Sequence, residues 1–176
     1  MTLPDPLSKT DHILGDPQAS VVVIEYGDLE CPFCRAVEPA VKHLVDVYGA
    51  RIAFAFRHFP IEDAHPHALL AAEATECAGA QGRFWQMRER LLSDQHHLAL
   101  EHLENHAREL RLDLARFRSD LREGVYRQRV RQDQDSGRRC NVHATPGFFV
   151  NGHVCDVSMN VGNLFAAVAH AHINPE

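Results

Sequence analysis

No run of apolar residues in this 176-residue chain approaches the ~20 needed to span a bilayer as a helix, so membrane insertion is not expected. Met1-Thr2-Leu3-Pro4-Asp5-Pro6 lacks the basic stretch and apolar core of a secretory leader. A cytoplasmic location is therefore expected, although an exported chain given a new Met1 would read the same way. Concentrated positive charge is missing as well: the formal net charge is −6. The one basic stretch, Arg127, Arg129, Arg131, Arg138 and Arg139, reads as a solvated helix face, and nucleic acid is not expected as a partner. An even complement of cysteines is also absent. There are five, Cys31, Cys34, Cys77, Cys140 and Cys155, which suits a fully paired disulfide framework poorly. In a chain without a leader, a close pair such as Cys31 and Cys34 is more often redox-active or metal-binding than structural.

What the chain does have is enough apolar content, 45%, to build a core without disulfides, and a length that suits one domain or one domain with an insertion. After a Pro- and Asp-rich opening expected to lie over the surface, Val21-Val22-Val23-Ile24-Glu25-Tyr26 is a continuous β-branched run, read as a strand buried on both faces. Apolar residues then recur at helical spacing over 33–47, with Pro39 inside predicting a kink and Gly49 ending the helix. Ile52, Phe54 and Phe56 alternate with Ala53, Ala55 and Arg57, a second strand whose position after a helix predicts a right-handed β-α-β unit. From 64 to 138 no strand signal remains, and Ala, Leu, Glu and Arg recur with helical period. Phe148-Phe149-Val150, Asn151-Gly152 and a second apolar run predict a hairpin, followed by a closing helix over 164–172. The expected order is β-α-β, helical insert, β-β-α. Residues 1–63 and 139–176 would form one unit and 64–138 an inserted helical subdomain.

Cys31-Pro32-Phe33-Cys34 falls where the buried strand gives way to the helix. Thiol exchange needs a thiolate, and a helix N-terminus supplies unpaired N–H groups and partial positive charge. Pro32 suits the first helical position. Cys31 is thus read as the nucleophile and Cys34, one turn further in, as the resolving thiol. A lone C-x-x-C is a weak signal, but one set at a strand–helix junction inside a β-α-β unit is much stronger.

The segment Val22-Val23-Ile24-Glu25-Tyr26-Gly27-Asp28-Leu29-Glu30-Cys31-Pro32-Phe33-Cys34 resembles the active-site segment of the DsbA-like disulfide oxidoreductases, a branch of the thioredoxin superfamily. The likeness continues at Glu76-Cys77-Ala78-Gly79-Ala80-Gln81-Gly82-Arg83-Phe84-Trp85 and at Ala144-Thr145-Pro146-Gly147-Phe148-Phe149-Val150-Asn151-Gly152. It covers nearly the whole chain from Ile13. It implies an α/β thioredoxin-like fold with an all-α insertion, and dithiol–disulfide exchange with protein or peptide substrates. It also implies a redox recycling partner, with no tightly bound cofactor and no metal. Pro146 matches the family's cis-proline, facing the cysteines. Thr145 would bind an extended substrate through its backbone, and Pro32 and Phe33 join them as substrate-contacting residues. Glu25 matches a buried acid that relays a proton to or from Cys34; its competing reading is a strand-end acid reaching solvent. The family usually carries Thr or another side chain after the proline, where this chain has Gly147, expected to open space beside the site.

Other readings remain open at this stage. Cys140 and His143 form a C-x-x-H that, with Cys31 and Cys34, has the ligand count of a Cys3His zinc site. A redox-sensing module that binds partners without turnover is a further alternative, and a glutathione-transferase-like enzyme would need only one nucleophile. Cys140 and Cys155 flank the hairpin and would either pair or stand apart. Cys77 is read as buried and inert. His65-Pro66-His67 and His96-His97 look like metal tracts but lack helical ligand spacing, and are read as surface histidines. Phe84, Trp85 and Met87 are read as core.

Overall fold

The computed structural model describes residues 4–173; the Met1-Thr2-Leu3 part of the leader reading lies outside them. In chain order the elements are β1 (His12–Gly15), β2 (Val21–Gly27), α1 (Pro32–Tyr48), a 3-10 turn (Gly49–Arg51) and β3 (Ile52–His58). The helices α2 (Ala68–Gly79), α3 (Phe84–Ser93), α4 (Leu100–Glu109), α5 (Leu114–Glu123) and α6 (Arg127–Arg139) follow. The chain closes with β4 (Gly147–Val150), β5 (His153–Cys155) and α7 (Gly162–Ile173). This is the thioredoxin-like arrangement, with helices between β3 and β4.

The sheet order is β1-β3-β2-β4-β5. β2 runs parallel to β3 and antiparallel to β4, so the apolar run of β2 is central and paired on both edges. Its side chains alternate across the sheet. Val21 and Val23 join Phe54, Phe56, Phe148, Leu44 of α1 and Met87 of α3 in one apolar cluster, which continues to Leu103 of α4 and Phe117 of α5. Ile24 and Tyr26 pack on the opposite face with Ala55, Phe59, Cys140 and Val142. α1 continues through Pro39 to Tyr48, and Asn151 and Gly152 both take positive φ in the tight hairpin turn.

β1 departs from the expected surface segment. It is a short edge strand, and nothing in His12-Ile13-Leu14-Gly15 alternates strongly. Tertiary contacts hold it. Arg57 of β3 is 3% exposed. Its Nε and Nη2 donate to Asp11 Oδ1 and Oδ2 at 2.9 and 3.0 Å, and its Nη1 to the Tyr26 hydroxyl at 3.1 Å. Gly15 has φ +88°, and a Cβ there would lie 2.1 Å from the Ile52 carbonyl oxygen, so only glycine lets the strand turn away.

α6 runs from Arg127 to Arg139. Gly124, in the left-handed conformation, caps α5 first. The helix then lays Gly137 against the sheet, where a Cβ would come within 2.7 Å of the Phe59 ring and 3.0 Å of Tyr26. Each arginine of the basic stretch is ion-paired: Arg127 with Glu73, Arg129 with Asp133, Arg131 with Glu62, Arg138 with Asp135 and Arg139 with Asp5. The Arg127, Arg131 and Arg139 pairs tie α6 to other segments, whereas the Arg129–Asp133 and Arg138–Asp135 pairs lie within the helix.

Candidate active site

Cys31 is the N-cap of α1 and Pro32 opens the helix. No side chain caps this N-terminus, which leaves its N–H groups for the sulfur. Both thiols are more covered than an exposed nucleophile would be: Cys31 is 3% and Cys34 1% exposed. Phe33 between them is 70% exposed. Cys31 Sγ donates to the Thr145 carbonyl at 3.4 Å, and Cys34 Sγ accepts from the Asp28 N–H at 3.4 Å.

The two thiols are driven apart in acidity. Cys31 is lowered to about 5, first by a hydrogen bond from the Cys34 thiol and then by Thr145 and the N–H groups of Cys34 and Phe33, against the cost of burial. Cys34 is raised well above the ordinary thiol range by burial, by that same hydrogen bond and by the charge of Glu25. A thiolate at the helix start beside a protonated thiol one turn in is the arrangement exchange chemistry requires.

Glu25 does not reach solvent; its exposure is 0%. Burial is the main cause of a carboxyl held up to about 7, opposed by Arg88 and assisted by Glu38. Arg88 of α3 donates to Glu25 Oε2 at 2.8 Å and to Glu38 Oε2 at 2.7 Å, with its guanidinium 4.4 Å from the Phe56 ring centre. Glu25 Oε1 is buried without a hydrogen-bond partner, leaving one oxygen free to take a proton.

The Thr145–Pro146 bond is cis, and Thr145 is buried against Cys31. Beside it runs a groove of about 730 Å³ lined by Phe33, Val37, Val142, Pro146, Val154 and Met159. Gly147 does not open extra space there. Val142 Cγ1 already stands 3.2 Å from where a Cβ would be.

The four residues of the zinc reading do not converge. Cys140 packs with Tyr26 and Phe149 across the sheet from the C-x-x-C pair, and the exposed His143 bonds to Asn141 Oδ1 at 2.9 Å. Among the described residues no group of three or more His, Cys, Asp or Glu is arranged to hold a metal ion. Cys140 and Cys155 are separate thiols, and Cys77 is buried in α2 with its thiol pushed up to about 12, chiefly by burial.

Several residues around the site had no signal in the sequence. Asp28 sits in a stretch whose likeness drew attention to the cysteines. Its carboxylate accepts from the N–H groups of Glu30 and Ile61, both at 2.8 Å, and meets His65 Nδ1 at 2.8 Å. Gln95, between α3 and α4, donates to the carbonyls of Leu29 and Cys31 at 2.9 and 2.8 Å. Arg88 and Gln95 lie 50 to 66 residues from the groups they bond, beyond the reach of any local pattern.

A thioredoxin fold carrying a C-x-x-C at the start of its first long helix, faced by a cis-proline, defines the class. A family model described as Thioredoxin matches residues 7–169, and the chain belongs to that family. The fold is that of DsbA proteins. BdbD from Bacillus subtilis superposes with a TM-score of 0.86 at 22% identity, covering 98% of each chain. Alpha-DsbA1 of Wolbachia pipientis gives 0.78 at 20% identity, covering 93% of this chain and 92% of that one. Among curated proteins, the Na(+)/H(+) antiporter NhaA 1 of Salinispora arenicola is 44% identical over 161 residues, 92% of this chain and 24% of that protein. NhaA 3 of Salinispora tropica is 42% identical over 94% of this chain and 26% of its own length. The chain thus spans about a quarter of the length of the curated relatives it matches. Among the described residues no helix is long and apolar enough to cross a membrane.

Proposed function

We propose that this chain is a thiol–disulfide oxidoreductase acting on protein or peptide substrates through Cys31 and Cys34. The carrying observation is the opposed acidity of two adjacent thiols at a helix start, with a carboxyl near 7 behind the inner one. The Cys31 thiolate attacks one sulfur of a substrate disulfide. A bond forms between Cys31 and that sulfur, and the second substrate sulfur leaves as a thiolate that takes a proton from water. Cys34 then gives its proton to Glu25 and attacks Cys31. The Cys31–Cys34 bond forms, the mixed disulfide breaks, and the remaining substrate sulfur leaves as a thiolate. Two electrons have passed from the cysteine pair to the substrate. The reverse sequence oxidises a substrate dithiol, and a partner dithiol or disulfide resets the pair.

An extended peptide would pair with the backbone at Thr145 and rest an apolar side chain between Phe33, Val154 and Met159. The rest of the antiporters' length has no counterpart in this chain, and the proposal carries no ion transport to it.

Cys31→Ser should abolish exchange while the fold persists, and Cys34→Ser should accumulate mixed disulfides through Cys31, both read by mass spectrometry of trapped adducts. Adducts that build up only in Cys31→Ser would reverse the two roles, and full exchange by both variants would end the proposal.

A further inference from the structure

His65 and His67 lie partly covered at the surface. They meet the turn that carries Cys31. His65 Nδ1 lies 2.8 Å from Asp28 Oδ2, and His67 Nδ1 lies 3.1 Å from Glu30 Oε1, with the His67 N–H donating to Glu30 Oε2 at 2.6 Å. Two imidazoles spaced by one proline thus hold two carboxylates spaced by one leucine. The pairs differ in depth. The His65 and Asp28 side chains are 18% and 0% exposed, whereas His67 is 44% exposed. Asp28 also reaches both cysteines through its backbone: its carbonyl accepts from the Cys31 N–H at 3.2 Å, and its N–H donates to Cys34 Sγ at 3.4 Å.

From this juxtaposition we infer that His65 is a positioning residue for the attacking thiolate: held on the Asp28 carboxylate, whose backbone bonds both cysteines, it brings an ionisable imidazole to the turn that carries Cys31. The inference deepens the proposed exchange reaction and rests on Cys31 being its nucleophile. The charged groups facing His65 are Asp28, Glu30 and Cys31 of the turn; Glu62 on its own loop is engaged by Arg131 of α6, and Gln95, on the other side of the turn, is neutral. Burial would lower the imidazole's pKa, but the Asp28 hydrogen bond and the charges of Asp28, Cys31 and Glu30 together raise it. Such coupling is reciprocal: a thiolate that favours the imidazolium is favoured by it to the same degree.

Disulfide formation removes the negative charge from Cys31 as two electrons pass to the substrate disulfide. The imidazolium then loses one of its stabilising charges, and part of its proton is released to solvent.

The test titrates the full chain by NMR and by thiolate absorbance. The His65 midpoint should be highest in the dithiol form and lower in both the disulfide form and Cys31→Ser. His65→Gln, which retains a hydrogen-bond donor for Asp28 without charge, should raise the Cys31 midpoint by about one unit, roughly tenfold less thiolate at a given lower pH. His67→Gln should move it far less. An unchanged His65 midpoint across the three redox and sequence forms, or an unchanged Cys31 midpoint in His65→Gln, would overturn the inference. A parent chain with no low-titrating thiolate would overturn the assignment of Cys31 itself, a result distinguishable from either.

Discussion

In the proposed reaction the side chain of Glu25 carries two opposed demands. A carboxyl that accepts the Cys34 proton must be ionised when resolution occurs, yet it sits at 0% exposure, where burial favours the neutral form. Arg88 offsets that cost, and the balance leaves the group near 7, where it changes state at neutral pH. Glu25→Gln should therefore leave formation of the Cys31 mixed disulfide intact and slow its resolution about 100-fold, within the range for a general base. In the parent chain the resolution rate should rise through about pH 7, and in Glu25→Gln that rise should vanish. Rapid quenching of mixed-disulfide decay across pH measures both. A retained inflection near 7 in the glutamine variant would assign the titration to another group.

Among the elements, α6 shows how the sheet's second face is closed. The helix has few apolar residues, yet Gly137 lets its backbone approach Phe59 and Tyr26, and Ser136 Oγ lies 2.8 Å from the Tyr26 hydroxyl. Gly137→Val would place branched carbon where aromatic rings already stand, and overpacking of this kind costs about 1–3 kcal/mol. The urea midpoint should fall accordingly with the slope unchanged; an unaltered midpoint would mean that α6 stands farther from the sheet. The turn before α1 is likewise held by distant segments, by Gln95 on one side and the 61–67 loop on the other. Segments between β3 and β4 thereby hold the turn that carries Cys31.

Across the whole molecule, the lowered pKa of Cys31 links redox state, pH and stability. A thiol whose folded pKa lies below its unfolded value stabilises the reduced fold fully above the unfolded pKa, and the contribution is lost as pH falls through the folded one. Here that window runs from the ordinary thiol value, about 8.5, down to about 5. The reduced chain should gain stability relative to Cys31→Ser as pH rises from 5 towards 8, since Cys34 and Glu25 are common to both. Denaturant midpoints of the two reduced proteins at several pH values measure this. A constant difference between them would show that Cys31 titrates alike in the folded and unfolded chain.

The sequence by itself determined the order of the main elements and the place of the redox pair. β2 is an unbroken β-branched run, Asn151-Gly152 demands a tight hairpin, and Cys31-Pro32 opens a helix directly after a buried strand; each of these signals lies within a few residues of what it specifies. Resemblance pointed to Glu25, Thr145 and Pro146, and the fold gathers them around the cysteines. What surrounds them was decided by tertiary structure. β1 exists because Arg57 and Gly15 fix an edge that has little β signal of its own. Gly147 adds no room because Val142 occupies it. Cys140 and His143 are divided from Cys31 and Cys34 because the end of α6 packs on the sheet face opposite α1, which no spacing along the chain reveals. His65, Arg88 and Gln95 reach Asp28, Glu25 and Leu29 from 37 to 66 residues away. Hydrogen bonds and charges act over a few ångströms of space, and only the folded backbone brings such distant residues within that range.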